Sequence, residues 1–435
     1  MPFRECRTAE ADVGMLYYIS DATGTGGRLK EQPEDFIVRE ISSRPDRTEG
    51  GRFTIATITV RNWETNRMVR LLSRELGVSR ERIGFAGTKD KRAITTQLMS
   101  FEVPVGDLQK VKLKDMTITD PYPAKRGMAI GDLVGNTFEI HVTRCAQPVT
   151  AVPGIVATVQ QEIAACGGFP NYFGVQRFGV VRPITHKVGE FIVRGDIEGA
   201  VRCYLSYPSR SESLAAATAR QELRTRSDWK ELFKLMPDEL SFEKALVSHL
   251  IDVPDDWAGA INALPKNLQM MFVHAYQSYL FNLMLSERIH RGLPLNRPTV
   301  GDIVVPLDAD RNPAHDQQIL ATERNLDLVE RQIKLGRAYV TAALFGSQTQ
   351  LAEGEMGEIE RQVITAAHLQ PEDFVIPALP HCTSEGSRRE ILCPVRDLKC
   401  QCGTDGSYNV AFSLPKGNYA TCLMREFMKS EMEDY

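Results

Sequence analysis

The stretch Gly84-Phe85-Ala86-Gly87-Thr88-Lys89-Asp90-Lys91-Arg92-Ala93-Ile94-Thr95-Thr96-Gln97 sets one carboxylate, Asp90, among three cations beside a glycine-hinged turn. Ile83 to Ala86 reads as a short buried strand. Ala93 to Val103 reads as a second, with Ile94, Thr96, Leu98 and Ser100 on one face and Thr95, Gln97, Met99 and Phe101 on the other. Asp90 then stands where turn passes into strand, and Lys89, Lys91 and Arg92 favour its ionised form. Such a carboxylate is a poor general acid but a usable nucleophile. Read locally, a surface turn with a solvated charge cluster is the plainer interpretation.

Working outward, 435 residues exceed one ordinary core, so two domains are expected. The content is 43% hydrophobic and 25% charged, the balance of a globular protein. The opening Met1-Pro2-Phe3-Arg4-Glu5-Cys6 carries no apolar signal segment, and no apolar run reaches membrane length. Nine mostly isolated cysteines fit reduced thiols. A cytoplasmic protein with no membrane partner is expected, with a monomer as the default state.

Upstream of the opening stretch, Phe36 to Ile41 and Arg52 to Val60 read as strands, and the polar loop Ser42 to Gly51 suggests an antiparallel pair. The glycine run Gly24 to Gly27 lacks the lysine of a phosphate-binding loop and leads towards a strand, not a helix. A cofactor enzyme such as a methyltransferase is disfavoured on that ground. From Thr65, read as an N-cap, Met68, Val69, Leu72 and Leu76 follow helical spacing to Gly77. The opposite face holds Arg67, Arg70 and Arg74. From Arg61 to Arg92 there are nine Lys/Arg against four acids, a local +5 in a chain of net charge -4, so the remainder is -9. That asymmetry fits a groove for a polyanion, or equally a solvated helix face.

Gly135-Asn136 reads as a turn before the strand Thr137 to Val142, and Ala151 to Ala165 as a helix closed by Gly167-Gly168. Asn171-Tyr172-Phe173-Gly174-Val175-Gln176-Arg177-Phe178-Gly179 crowds rings and amides without periodicity; such groups can stack on an unstacked base or pack a turn. Beyond about residue 185 helices dominate: His186 to Leu205, Ser211 to Arg226, Phe242 to Leu250 and Leu268 to His290. Strand candidates return at Ile303 to Val305, Ala338 to Val340 and Tyr408 to Leu414, with helices at Glu353 to Leu369 and Tyr419 to Met428. Cys393, Cys400 and Cys402, with His381 and Cys382, offer no Cys-x-x-Cys pair, so no metal site is expected.

Several separated motifs together resemble the TruD family of tRNA pseudouridine synthases. They are Pro33-Glu34-Asp35-Phe36-x-Val38-x-Glu40, the Gly84 to Gln97 stretch, Asn171 to Gly179, and Phe412-Ser413-Leu414-Pro415-x-Gly417-x-Tyr419-Ala420-Thr421 with Arg425-Glu426. Gly135-Asn136-x-Phe138-x-Ile140 adds weaker support. The resemblance implies an α+β pseudouridine-synthase core, with a mixed, mainly antiparallel sheet, in residues 1–190 and 390–435. A large inserted TRUD-type α/β domain is expected over 191–389.

It further implies isomerisation of a specific uridine of tRNA, expected at position 13, without cofactor or metal. Asp90 would be the catalytic carboxylate, Phe173 the ring against the flipped base, and Asn171 a support for the backbone around Asp90. Lys89 and Lys30 would anchor phosphate or balance the carboxylate, with Glu34 a further substrate contact. Arg67, Arg70 and Arg74 would serve the RNA backbone. An RNA-binding protein that keeps the fold without catalysis is the competing reading, and retention of Asp90 counts against it.

Overall fold

The computed structural model describes residues 3–180, 182–209, 212–308 and 312–435. It is a mixed α+β fold. By packing, the chain forms two compact units: Ala22–Phe169 with Cys393–Ser430 and Asp434–Tyr435, and the segment ending at Asp21 with Pro170–Leu392 and Glu431–Glu433.

The first unit is built on a nine-stranded sheet. Its strands are β1 (Gly26–Arg28), β2 (Phe36–Ser42), β3 (Phe53–Arg61), β4 (Ile83–Phe85), β5 (Ile94–Phe101), β6 (Met116–Ala124), β7 (Leu133–Cys145), β8 (Arg396–Cys402) and β9 (Tyr408–Pro415). Their spatial order is β8-β9-β7-β2-β5-β3-β6, with β1 beside β7 and β4 beside β5. The β2–β5 pair is parallel and the rest antiparallel. The expected direct pairing of β2 with β3 does not occur. Strand β5 lies between them, parallel to β2 from the Ile37–Ile94 pair onward and antiparallel to β3 from Thr54 to Arg61. The polar loop after β2 instead carries the chain across to the β6 edge, where Arg47 bridges Ala124.

Helix α1 (Thr65–Leu76) buries Met68, Val69 and Leu72 against Ile58, Val60, Met99 and Phe101 of the sheet. The other side of β3 and β5 packs Ile55 and Leu98 with Tyr122, Ala124 and Met128. Helix α2 (Val152–Cys166) ends at Gly167, whose φ of 77° supplies the left-handed cap, and it packs on β8 and on α3 (Ala420–Met428). Gly135 and Asn136 are not a turn. They lie inside β7, between Leu414 and Pro415 of β9 and Glu40 and Ile41 of β2. The residue must be glycine because a Cβ there would sit 2.4 Å from the Leu414 carbonyl oxygen.

The second unit is mainly helical. Thr185–Val193, Ile197–Ser206, Leu214–Thr225, Trp229–Leu235, Ser241–Asp252 and Trp257–Asn262 lead into the 25-residue helix Lys266–His290. The expected single helix His186 to Leu205 is broken at Gly195-Asp196, where Asp196 caps the next segment through Gly199 N. Ser211, the expected start of another helix, lies outside the described residues. An antiparallel four-stranded sheet runs Ile319–Leu320, Ile303–Pro306, Ala338–Leu344, Ser387–Glu390, flanked by helices Leu326–Lys334 and Gly354–Ala366. Two fully buried ion pairs, Arg288–Asp302 and Arg388–Glu360, tie helices to this sheet. The aromatic stretch 171–179 packs within this unit, whose segment Pro170–Leu392 begins ahead of the change in texture at about 185. Asn171 N donates to Ile391 O and Phe173 N to Asn282 Oδ1, while Arg177, Phe178 and Gly179 close a local turn on Gly174 and Val175.

Candidate active site

The loop 86–93 between β4 and β5 carries Asp90. Its backbone is held by Lys89 N donating to Thr65 Oγ1 at 3.0 Å, Ala93 N to Lys91 O at 3.0 Å, and Asn62 N to Ala93 O at 2.9 Å. Thr65 is therefore not the N-cap of α1. Glu64 caps the helix, accepting from Asn66 N and Arg67 N, which releases the Thr65 hydroxyl to hold the loop.

Asp90 is 42% exposed, and its Oδ1 accepts from Lys30 Nζ at 2.9 Å. Lys30 reaches it from a left-handed backbone (φ 57°) just before the Pro33–Asp35 turn. The same ammonium lies 4.2 Å from the centroid of the Phe36 ring. The cation on Asp90 is thus Lys30, sixty residues away, and not its neighbour Lys89. Lys89 turns inward to Glu40, with side chains 5% and 1% exposed, and Glu40 Oε1 also accepts from Ser42 Oγ at 2.6 Å. A buried ammonium–carboxylate pair holds its geometry because separating it leaves a bare charge in low dielectric. Asp90 is consequently mounted on a residue fixed at both its backbone and its side-chain end. Lys91 and Arg92 are exposed, and Arg92 Nη2 donates to Glu31 O at 2.9 Å.

Glu34 pairs with Arg61 through Nε–Oε1 at 2.6 Å and Nη2–Oε2 at 3.3 Å. The Arg61 hydrogen bond holds its carboxyl below the usual carboxylate range. Arg67, Arg70 and Arg74 all project from the exposed side of α1, with the Arg67 guanidinium 5.6 Å from the Trp63 ring.

Asn171 and Phe173 belong to the second unit and form their own cluster. Asn171 Nδ2 donates to Glu390 O at 2.9 Å, and its Oδ1 accepts from Arg389 Nη2 at 2.8 Å. The Arg389 guanidinium lies 4.2 Å from the Phe173 centroid, and Phe281 meets that ring edge-on at 5.5 Å. Phe173 is only 7% exposed. Asn282 clamps its backbone, accepting from Phe173 N at 2.9 Å and donating to Phe173 O at 3.1 Å.

The sequence reading missed Glu40, Thr65, Arg389 and Asn282. Glu40 was legible as a motif residue whose chemistry was unassigned. Arg389 and Asn282 carry no local signal, since their partners lie more than 100 positions away.

A family model described as tRNA pseudouridine synthase D (TruD) matches residues 12–427. The chain belongs to the TruD family. It is 42% identical over 434 residues to the Methanococcoides burtonii protein named "Probable tRNA pseudouridine synthase D", covering 97% of each chain. To the Halobacterium salinarum protein of the same name it is 39% identical over 441 residues, covering 98% of each. A Methanosarcina mazei crystal structure described as that of the "Putative tRNA pseudouridine synthase D (TruD)" superposes with a TM-score of 0.88 at 40% identity, covering 98% of both chains. Among the described residues of this TruD-family chain, no helix is long and apolar enough to cross a membrane.

Proposed function

We propose that this chain is a tRNA pseudouridine synthase that isomerises uridine 13 of tRNA, with Asp90 as its catalytic carboxylate. The observation that carries the reading is the Asp90–Lys30 pair on an accessible loop, in a chain whose relatives bear the tRNA pseudouridine synthase name. The overall change is an isomerisation. The C1′–N1 bond breaks, the uracil turns, and a C1′–C5 bond forms while C5 gives up its proton and N1 gains one. Asp90, an oxygen base and nucleophile, serves this exchange, and Lys30 holds the carboxylate in place.

Removing the base from its stack costs a few kcal/mol, so the protein must supply compensating contacts. Phe173 is assigned as the ring against the uracil, with Asn171 positioning groups around it. Because Arg389 now covers Phe173, a base entering that face displaces the guanidinium. Arg67, Arg70 and Arg74 serve the RNA backbone, with Lys30, Lys89 and Glu34 beside the catalytic loop.

The test is tritium release from tRNA labelled at uracil C5, with no added cofactor. Release by the wild type and not by Asp90→Asn is expected, and replacement of uridine 13 by cytidine should abolish the site-specific product. Equal release by both proteins would remove Asp90 from the chemistry. Tight tRNA binding without release would point to the non-catalytic RNA-binding protein.

A further inference from the structure

Gln97 sits in the middle of β5, is 2% exposed, and has no protein hydrogen-bond partner for either amide atom. Its position on the strand is unusual. On one flank β3 pairs β5 along its whole length, with Ile58 across from Gln97. On the other flank the partner changes. Strand β2 covers Ile94 to Thr96 and β4 covers Met99 to Phe101, so Gln97 and Leu98 fall in the interval between them. Loop 86–93 leaves β4 at Phe85, the partner of Met99, and returns as β5 at Ile94, so it begins and ends on either side of that interval.

One further step of the β2–β5 register sets Glu40 beside Gln97, and Asn136 of β7 stands across from Glu40. The Asn136 Oδ1 is likewise enclosed without a protein partner. A polar row, Gln97–Glu40–Asn136, therefore crosses three adjacent strands, and Lys89 of the loop reaches down to its centre. Unpaired buried amides destabilise a fold, and natural proteins pair nearly all of them. The loop above is anchored at Lys89, while Thr88, Asp90, Lys91 and Arg92 on either side of that anchor are exposed. Exposed residues beside a fixed anchor can shift locally without the anchor moving.

We infer that Gln97 is a positioning residue for Asp90. Its carboxamide stays unsatisfied in the free enzyme and takes backbone partners from loop 86–93 when the target nucleoside draws that loop onto the sheet. Binding then exchanges an unfavourable buried amide for two hydrogen bonds that fix the carboxylate. This rests on the reading of Asp90 as the catalytic group.

The experiment compares wild type, Gln97→Met, Gln97→Asn and Asp90→Asn for tritium release, kcat and KM with C5-labelled tRNA, alongside thermal unfolding. Methionine keeps the volume and removes the unpaired amide; asparagine keeps the amide and withdraws it by one methylene. For Gln97→Met, Tm should equal or exceed that of the wild type, while kcat falls about 10- to 100-fold and KM changes less than about threefold. Gln97→Asn should fold and show the same loss in kcat. An unchanged kcat in either folded variant overturns the inference, as does a loss that merely follows a lowered Tm, which would mark Gln97 as structural. If Asp90→Asn keeps wild-type turnover, the underlying assignment fails. If Asp90→Asn is inert while both Gln97 variants turn over normally, only the role of Gln97 falls.

Discussion

At the residue scale, the loop that carries Asp90 shows how charge is assigned by reach and not by adjacency. Lys89 touches Asp90 in sequence, yet its ammonium is bound to Glu40 inside the sheet, and Lys30 supplies the ion pair to Asp90. The two lysines therefore make different predictions. Lys30→Met removes a pair whose carboxylate end is open to solvent, so stability should change by about 1 kcal/mol at most. If Lys30 orients the carboxylate, kcat should fall about 10- to 100-fold with KM nearly constant, measured on C5-labelled tRNA. Lys89→Met leaves the Glu40 carboxylate buried beside no cation and should cost roughly 3–5 kcal/mol in chemical denaturation. Replacing both, as Lys89→Met with Glu40→Leu, should recover most of that loss, because no bare charge is left behind.

At the element scale, α1 divides its labour between faces. Met68, Val69 and Leu72 fasten it to the sheet, while Arg67, Arg70 and Arg74 stay in solvent and are available to phosphate. Changing all three to Gln should leave the fold intact and reduce the slope of log K against log salt for tRNA binding by about 2 to 3. An unchanged slope would place the RNA path elsewhere. Short elements also follow local chemistry with high fidelity. Gln-Pro-Glu-Asp-Phe occurs at 32–36 and at 370–374, and in both copies the Asp Oδ2 accepts from the Gln backbone N at 2.7 Å in a 3-10 turn. The repeat needs no duplication; proline at the first position and a capping carboxylate suffice.

At the scale of the whole molecule, the helical unit contains an acid-sensitive group. His186 is buried between Phe178 and Tyr279, and desolvation pushes its pKa down to about 3 from an ordinary 6.5. In the unfolded chain it takes up a proton below about 6.5, whereas the folded unit does not until about 3. Its contribution is thus fully present above pH 6.5 and is lost progressively as pH falls towards 3. From pH 6.5 to 5 that loss is about 1.5 kcal/mol, its slope rising towards 1.4 kcal/mol per pH unit as the unfolded imidazole becomes protonated. Trp229 and Trp257, stacked edge-to-face at 6.0 Å in the same unit, report its unfolding. His186→Phe should flatten the pH dependence of the tryptophan-monitored urea midpoint over this range. A slope identical to that of the wild type would show that other groups govern acid unfolding.

Sequence periodicity alone was enough to place α1, α2, the long helix Lys266–His290 and most strands, because each has an apolar face whose spacing is a local property. The order of Pro33-Glu34-Asp35-Phe36, the Asp90 stretch, Asn171 to Gly179 and the final strand–helix pair was enough to mark the TruD resemblance. Only the tertiary structure decided who meets whom. It set β5 between β2 and β3, drew Gly135-Asn136 into a strand, moved the Thr65 hydroxyl from cap to loop anchor, and brought Arg389 onto Phe173. These depend on hydrogen-bonding edges and side-chain reach between residues tens to hundreds of positions apart, where no local period carries information.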